Sequence, residues 1–192
     1  MTPPRIVFMG TPEFAVPALK MLASRTDIDL CLVVTQPDRP AGRGKKLVAP
    51  AVKVAAEELG LAVLQNDSLP YAEVKQRIVD EKPDLVVVAA FGMILGKWIL
   101  ELPRLGCVNL HASLLPKYRG ASPISAAILA GDDQTGVTLM QMDRGLDTGP
   151  MLDKISINIE EHDTTESLTP KLADAAAVLL ESRLTKLLAG EI

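Results

Sequence analysis

The chain is short of most residues that would announce a metal, redox or membrane protein. Among 192 residues there are two cysteines, two histidines and one tryptophan, and aromatic residues make up only 3%. Cys31 and Cys107 both sit in apolar runs, which favours buried thiols over a disulfide and makes the cytoplasm the expected compartment. Two distant histidines and no paired cysteines give no transition-metal spacing, so no metal is expected. No apolar run approaches the roughly 20 residues of a membrane helix, and no charged-then-apolar leader opens the chain. A basic excess is also missing. The net charge is −4, so any nucleic-acid contact must come from a local patch. Gly10-Thr11-Pro12 is neither a dinucleotide fingerprint nor a P-loop, and no Gly-x-Ser-x-Gly elbow occurs.

What is present is a hydrophobic fraction of 48%, arranged as alternating short apolar runs and helical stretches. Residues 5–9, 28–35, 62–65, 84–90, 108–111, 137–142 and 151–159 read as strands. The run at 84–90 lacks polar alternation, as expected where both faces are covered. The last run alternates Ile155, Ile157 and Ile159 with polar residues, as an edge strand does. A sharp turn at residues 10–12 leads into a helix carrying Phe14, Leu19 and Leu22, its first turn disturbed by Pro17. Residues 51–59, 71–81, 122–130 and 168–188 also read as helices. Pro170 predicts a kink in the last one, or a start near Thr169, and Asp163 with Glu166 resembles its capping pair. The fold class is α/β: one doubly wound domain over residues 1–192, with a mostly parallel sheet and helices on both faces.

In such a sheet, ligands bind beyond the carboxyl ends of the strands. Three loops qualify there: residues 10–14, 109–119 and 143–149. Asn109 and His111, two apart at a strand end, project from one face. An amide beside an imidazole suits acyl transfer, in which an oxyanion needs donors and an amine sheds protons. Taken singly, Asn109 could cap a turn and His111 could satisfy a buried carbonyl. Asp147, between two glycines, could orient His111 or simply bind its own turn. Asp143 reads as a turn aspartate and His162 as solvated. The segment 38–46 carries Arg39, Arg43, Lys45 and Lys46 among glycines and a proline. It reads as a positive loop suited to phosphates, or as an ordinary solvated loop.

Together the segments are more specific. The run from Asn109-Leu110-His111 through Ser113-Leu114-Leu115-Pro116 to Arg119-Gly120, with the later Leu146-Asp147-Thr148-Gly149, resembles the signatures of the folate-dependent formyltransferase family. Phe8-Met9-Gly10-Thr11-Pro12 and the basic loop are most similar to the branch of that family that formylates methionyl-tRNA. The resemblance implies a Rossmann-like domain and a catalytic set of Asn109, His111 and Asp147. It implies 10-formyltetrahydrofolate as formyl donor, held against Ala89, Phe91, Gly92, Ile94, Ser113, Leu114, Leu115 and Pro116. Initiator methionyl-tRNA would meet Arg39, Arg43, Lys45 and Lys46. A monomer with no membrane association is expected. The branch carries a C-terminal β-barrel that helps hold tRNA, and no part of residues 1–192 could form it, so a piece of a longer protein is expected. Rival expectations are a formyltransferase for glycinamide ribonucleotide or an amino-sugar nucleotide, a formate-releasing hydrolase, and a non-catalytic folate- or tRNA-binding module.

Overall fold

The computed structural model describes residues 2–41, 44–69 and 71–192. Five adjacent parallel strands make up most of the sheet: β1 (Arg5–Gly10), β2 (Asp29–Thr35), β5 (Val63–Gln65), β6 (Leu85–Ala89) and β7 (Cys107–His111). Two antiparallel strands, β8 (Gln134–Gln141) and β9 (Met151–Asn158), extend one side, giving the order β5-β2-β1-β6-β7-β8-β9. The alternation of strand side chains builds two cores. Ile6, Phe8, Val33, Val87, Val108 and Leu110 face α1 (Val16–Ser24), α2 (Ala51–Glu58) and α6 (Thr165–Ala189). Val7, Met9, Val34, Val86, Val88 and Cys107 face α3 (Ala72–Asp80) and the single turn α4 (Lys97–Leu100). A further short helix, α5 (Pro123–Leu129), packs beside α6. Every residue of β6 is buried, as its unbroken apolar run requires. Among the described residues no helix is long and apolar enough to cross a membrane.

The chain runs from β1 to β2 on one side of β1, while β6 pairs on its other side. The loops leaving β1 and β6 therefore diverge, which opens a crevice at the carboxyl edge. Where Pro17 disturbs the first helix, a 3-10 turn at Glu13–Ala15 precedes α1 and Pro17 sits in its first turn. As the alternating isoleucines imply, β9 is an edge strand, and Ile155, Ile157 and Ile159 pack on the core.

Two expectations need correction. Residues 39–48 are not all loop: β3 (Arg39–Ala41) and β4 (Lys46–Val48) form an antiparallel hairpin. Both strands are three residues long, too short to show a period, and Pro40 is tolerated because a two-stranded ribbon has only edges. The last helix does not begin at Thr169. It begins at Thr165, with Pro170 inside it, because Thr164 and Ser167 cap each other's backbone and bind the preceding turn before the proline is reached.

Asp163, not Glu166, completes that cap. It accepts from the Ser167 hydroxyl at 2.7 Å, from Lys171 at 2.8 Å and from the Glu160 amide at 2.9 Å. The Lys171 ammonium first, then the Ser167 hydroxyl and the Glu160 amide, hold its carboxyl down at about 2. A carboxyl lowered on folding stabilises above its unfolded value of roughly 4 and loses that contribution as pH falls through the folded value. Asp163→Asn should therefore lower Tm at neutral pH, and the gap from wild type should close as pH falls toward about 2. Thermal melts across that range check this, and a pH-independent gap would refute it.

Candidate active site

Asn109, His111 and Asp147 meet at one cavity. Its volume is about 1000 Å3, near the upper end of what small-molecule sites usually offer. Its walls come from the turn after β1 (Pro12, Phe14), the loop after β6 (residues 90–95), the end of β7 (Asn109 to Ala112), and Met140 with the loop 142–147. Thr165 and Thr169 of α6 close one side.

At its polar end lies His111, 6% exposed. The ring is held from both edges. Nε2 lies 2.9 Å from the Tyr118 carbonyl oxygen, and Nδ1 lies 3.5 Å from Asp147 Oδ2. A carbonyl only accepts, so Nε2 carries a proton, and Nδ1 is the nitrogen left to face Asp147 and the cavity. Asp147 is anchored in turn, since its Oδ2 accepts from the Gly120 amide at 2.8 Å. Asn109 lines the same cavity, half-buried, and no hydrogen bond among the described residues engages its side chain. The plain structural reading of His111, a ring satisfying a carbonyl, is thus true of one nitrogen and leaves the other for chemistry.

The loop carrying Asp147 has an unusual path. Met142 bonds to the Cys107 carbonyl at the start of β7, yet Asp147 reaches His111 at the end of that strand. The loop therefore doubles back along β7. Gly149 makes this possible, because a Cβ there would collide with the Gln141 carbonyl. Asp143 holds the turn by accepting from the Gly145 amide at 2.9 Å and the Thr148 hydroxyl at 2.7 Å, which is the turn role expected of it.

Five described non-glycine residues have positive φ, and three of them, Ala90, Tyr118 and Asp147, line this cavity or hold His111. Such conformations cost roughly 1–2 kcal/mol each, and they persist where neighbours over-determine them.

The opposite, apolar wall is the loop 90–95. Phe91 is buried there, while Ile94, 91% exposed, stands at the rim. The Phe91 carbonyl accepts from Thr11 Oγ1 at 2.9 Å and Gln36 Nε2 at 3.0 Å, which fixes the loop from behind. A flat aromatic ligand fits such a slot, with apolar side chains to cover its faces and backbone groups of the loop for its polar edge. Of the residues expected to hold the donor, Phe91, Gly92 and Ile94 line the cavity, and Ala89, Ser113, Leu114, Leu115 and Pro116 do not. Ala89 is still inside the sheet, paired with Gly10. After His111 the chain turns outward: Ser113 donates to the Lys117 carbonyl, the Leu115 amide to Thr138 Oγ1, and Lys154 binds the Leu115 carbonyl. Residues 114–116 consequently line a separate surface cleft with Asp132 and Lys154.

Of the basic residues, Arg39, Lys45 and Lys46 are exposed on or beside the β3–β4 hairpin, and Arg43 lies outside the described residues. The base of the hairpin is fixed by Asp38, which accepts from Lys53 at 3.0 Å and Gln65 at 2.7 Å. His162 is exposed.

A family model described as formyl transferase matches residues 4–184. The chain belongs to the formyl transferase family. Among curated relatives, it is 55% identical over 188 residues to a methionyl-tRNA formyltransferase of Halorhodospira halophila, covering 98% of this chain and 60% of the relative. It is 51% identical over 187 residues to one of Geobacter metallireducens, covering 97% and 60%. The chain thus spans about 60% of the length of these relatives. Among solved structures, it superposes on a phosphoribosylglycinamide formyltransferase of Bacillus halodurans with a TM-score of 0.70 at 27% identity, covering 92% and 95% of the two chains. A glycinamide ribonucleotide transformylase of Symbiobacterium toebii gives a TM-score of 0.81 at 18% identity, covering 98% and 89%, a likeness of fold. The formyl transferase fold accounts for the mostly parallel sheet with its antiparallel edge.

The sequence did not point to Tyr118 or Thr138, because their part is played by a backbone carbonyl and by a buried hydroxyl under the loop. The glycine of the Arg119-Gly120 pair was a usable signal, since its amide holds Asp147.

Gly92 has φ +76, and a Cβ there would strike the Gln36 amide. Gly92→Ala should cost about 1–2 kcal/mol for the conformation plus about 1 kcal/mol for the displaced Gln36 hydrogen bond. The urea midpoint measures this, and an unchanged midpoint would show the loop free to relax.

Proposed function

We propose that this chain is the catalytic part of an enzyme that moves the formyl group of 10-formyltetrahydrofolate onto the α-amine of initiator methionyl-tRNA in the cytoplasm, acting as a monomer. The observation that carries this reading is the convergence of Asn109, His111 and Asp147 on one cavity with an apolar slot beside it. Methionyl-tRNA formyltransferases similar over nearly the whole chain support the choice of acceptor.

In this reading the donor's pterin lies against Phe91, Gly92 and Ile94, with the formyl carbon near Asn109. The neutral amine attacks that carbon, and its oxygen takes up negative charge. The Asn109 amide donates to it, and so does Nδ1 of the protonated His111 ring, because Nε2 is engaged by Tyr118. Asp147 holds the charged ring beside it and, directly or through water, takes the proton that the amine loses. The intermediate then collapses: the carbon–nitrogen bond to the folate breaks, and that nitrogen leaves as a neutral amine with the proton that Asp147 took from the attacking amine.

Removing one oxyanion donor typically costs about 100- to 1,000-fold in rate. Single-turnover formylation by Asn109→Ala, His111→Ala and Asp147→Asn should show losses of that order, and losses under about tenfold would remove these residues from the chemistry. Supplying the formyl donor with methionyl-tRNA, with glycinamide ribonucleotide or with no acceptor decides where the group goes. Transfer to the ribonucleotide, or release as formate, would overturn the acceptor assignment.

The hairpin's exposed cations suit the phosphates of the tRNA acceptor stem. Replacing Arg39, Lys45 and Lys46 by alanine should lower the slope of log affinity against log salt by roughly 0.7–0.9 for each phosphate that the variant no longer neutralises. An unchanged slope would take the hairpin out of tRNA binding.

A further inference from the structure

The geometry points to Asp132, outside the cavity, as a positioning residue that fixes through Tyr118 which nitrogen of His111 carries the proton in the neutral ring. The inference rests on the catalytic role proposed for His111.

The two neighbours of the ring favour different protonation patterns. The Tyr118 carbonyl at 2.9 Å requires a proton on Nε2, whereas the Asp147 carboxylate at 3.5 Å favours one on Nδ1. The imidazolium can satisfy both. The neutral ring cannot, and only the Nε2–H form leaves a lone pair on Nδ1 facing the cavity, ready to take up a proton there. The position of the Tyr118 carbonyl therefore selects the form that can act.

That carbonyl is placed by a residue in a costly conformation. Tyr118 has φ +54, in the left-handed region that a bulky side chain rarely adopts. Its own side chain supplies the restraint, because the phenol donates to Asp132 Oδ2 at 2.8 Å. Asp132 also accepts from the preceding Lys117, at 3.1 and 3.2 Å to its two oxygens. The Lys117 carbonyl accepts in turn from Ser113 Oγ at 2.6 Å, and the Ser113 carbonyl from Thr138 Oγ1 at 2.7 Å. Thr138 lies opposite His111 in the β7–β8 register. Asp132 follows α5 directly after Gly131 and does not line the cavity, so it touches neither reactant. Its hold on two successive side chains keeps the turn 117–118 from relaxing to negative φ and carrying the carbonyl away from Nε2.

The test reads the ring itself. The chain has two histidines, and His162→Gln leaves His111 as the only imidazole. In that background, nitrogen-15 spectra of the free 192-residue chain at alkaline pH should show the Nε2–H pattern. Asp132→Ala and Tyr118→Phe should each move it toward the Nδ1–H pattern. Asp132→Asn, whose amide oxygen still accepts from the phenol, should keep it. In formyl transfer, the first two should lose about tenfold in kcat, the scale of one neutral hydrogen bond, with KM for the formyl donor within about twofold. An unaltered Nε2–H pattern in Tyr118→Phe would overturn the proposal, and that variant decides alone if Asp132→Ala does not fold. Because the spectra need no substrate, they stand apart from the acceptor assay: a chain that formylates something else could still show the shift, and an active one could fail to.

Discussion

A ring nitrogen already bound to a backbone carbonyl is closed to chemistry, and the site is organised around that constraint. With Nε2 of His111 given to Tyr118, the nitrogen left for Asp147 and the cavity is Nδ1, and the other placements follow. Asp147 has to approach Nδ1 from the cavity side. To do so its loop runs back along β7 from a point at the far end of the strand, which requires Gly149 at the turn and a left-handed Asp147. The segment 118–120 then serves both partners, with the Tyr118 carbonyl on the histidine and the Gly120 amide on the aspartate. One short turn fixes the distance between imidazole and carboxylate, so an error in that turn would displace both together.

The sheet makes this arrangement available. Parallel strands bring the loops after β1, β6 and β7 to one edge, and the divergence beside β1 leaves a crevice between them. The switch to antiparallel pairing at β8 has a separate consequence. It puts Thr138 opposite His111, where its buried hydroxyl donates to the Ser113 carbonyl and accepts from the Leu115 amide. The loop that leaves β7 is thereby folded away from the cavity, which clears space in front of Asn109 and His111.

This also explains what could and could not be read from the sequence. The buried strand β6 and the alternating edge strand β9 were legible because their patterns report the number of covered faces. Asn109, His111 and Asp147 were legible only together, through the family signature, since each alone also reads as an ordinary turn or core residue and several other strands end on a polar side chain. The apolar wall of the cavity was only half legible. Phe91, Gly92 and Ile94 follow a strand end and face the cavity, whereas Ser113 to Pro116 follow another strand end and face away. Proximity in sequence to His111 suggested the second group, and hydrogen bonds to β8 and β9, remote in sequence, decided against it. The hairpin was missed because three-residue strands carry no period. Pro170 misled because a capping box several residues earlier starts the helix first.

Asn109, His111 and Asp147 are held unequally. His111 and Asp147 are each tied to backbone, whereas no hydrogen bond among the described residues engages the Asn109 side chain. A donor engaged in the ground state must break a bond before it can stabilise the transition state. A free amide on a rigid strand breaks none, and its full interaction appears only as charge develops on the reacting oxygen. β7 supplies the rigidity, since Asn109 is paired on both sides, with Val88 and with Met140. The division follows from the backbone: the strand interior holds the uncommitted amide, and the turns beyond the strand end hold the His111–Asp147 pair.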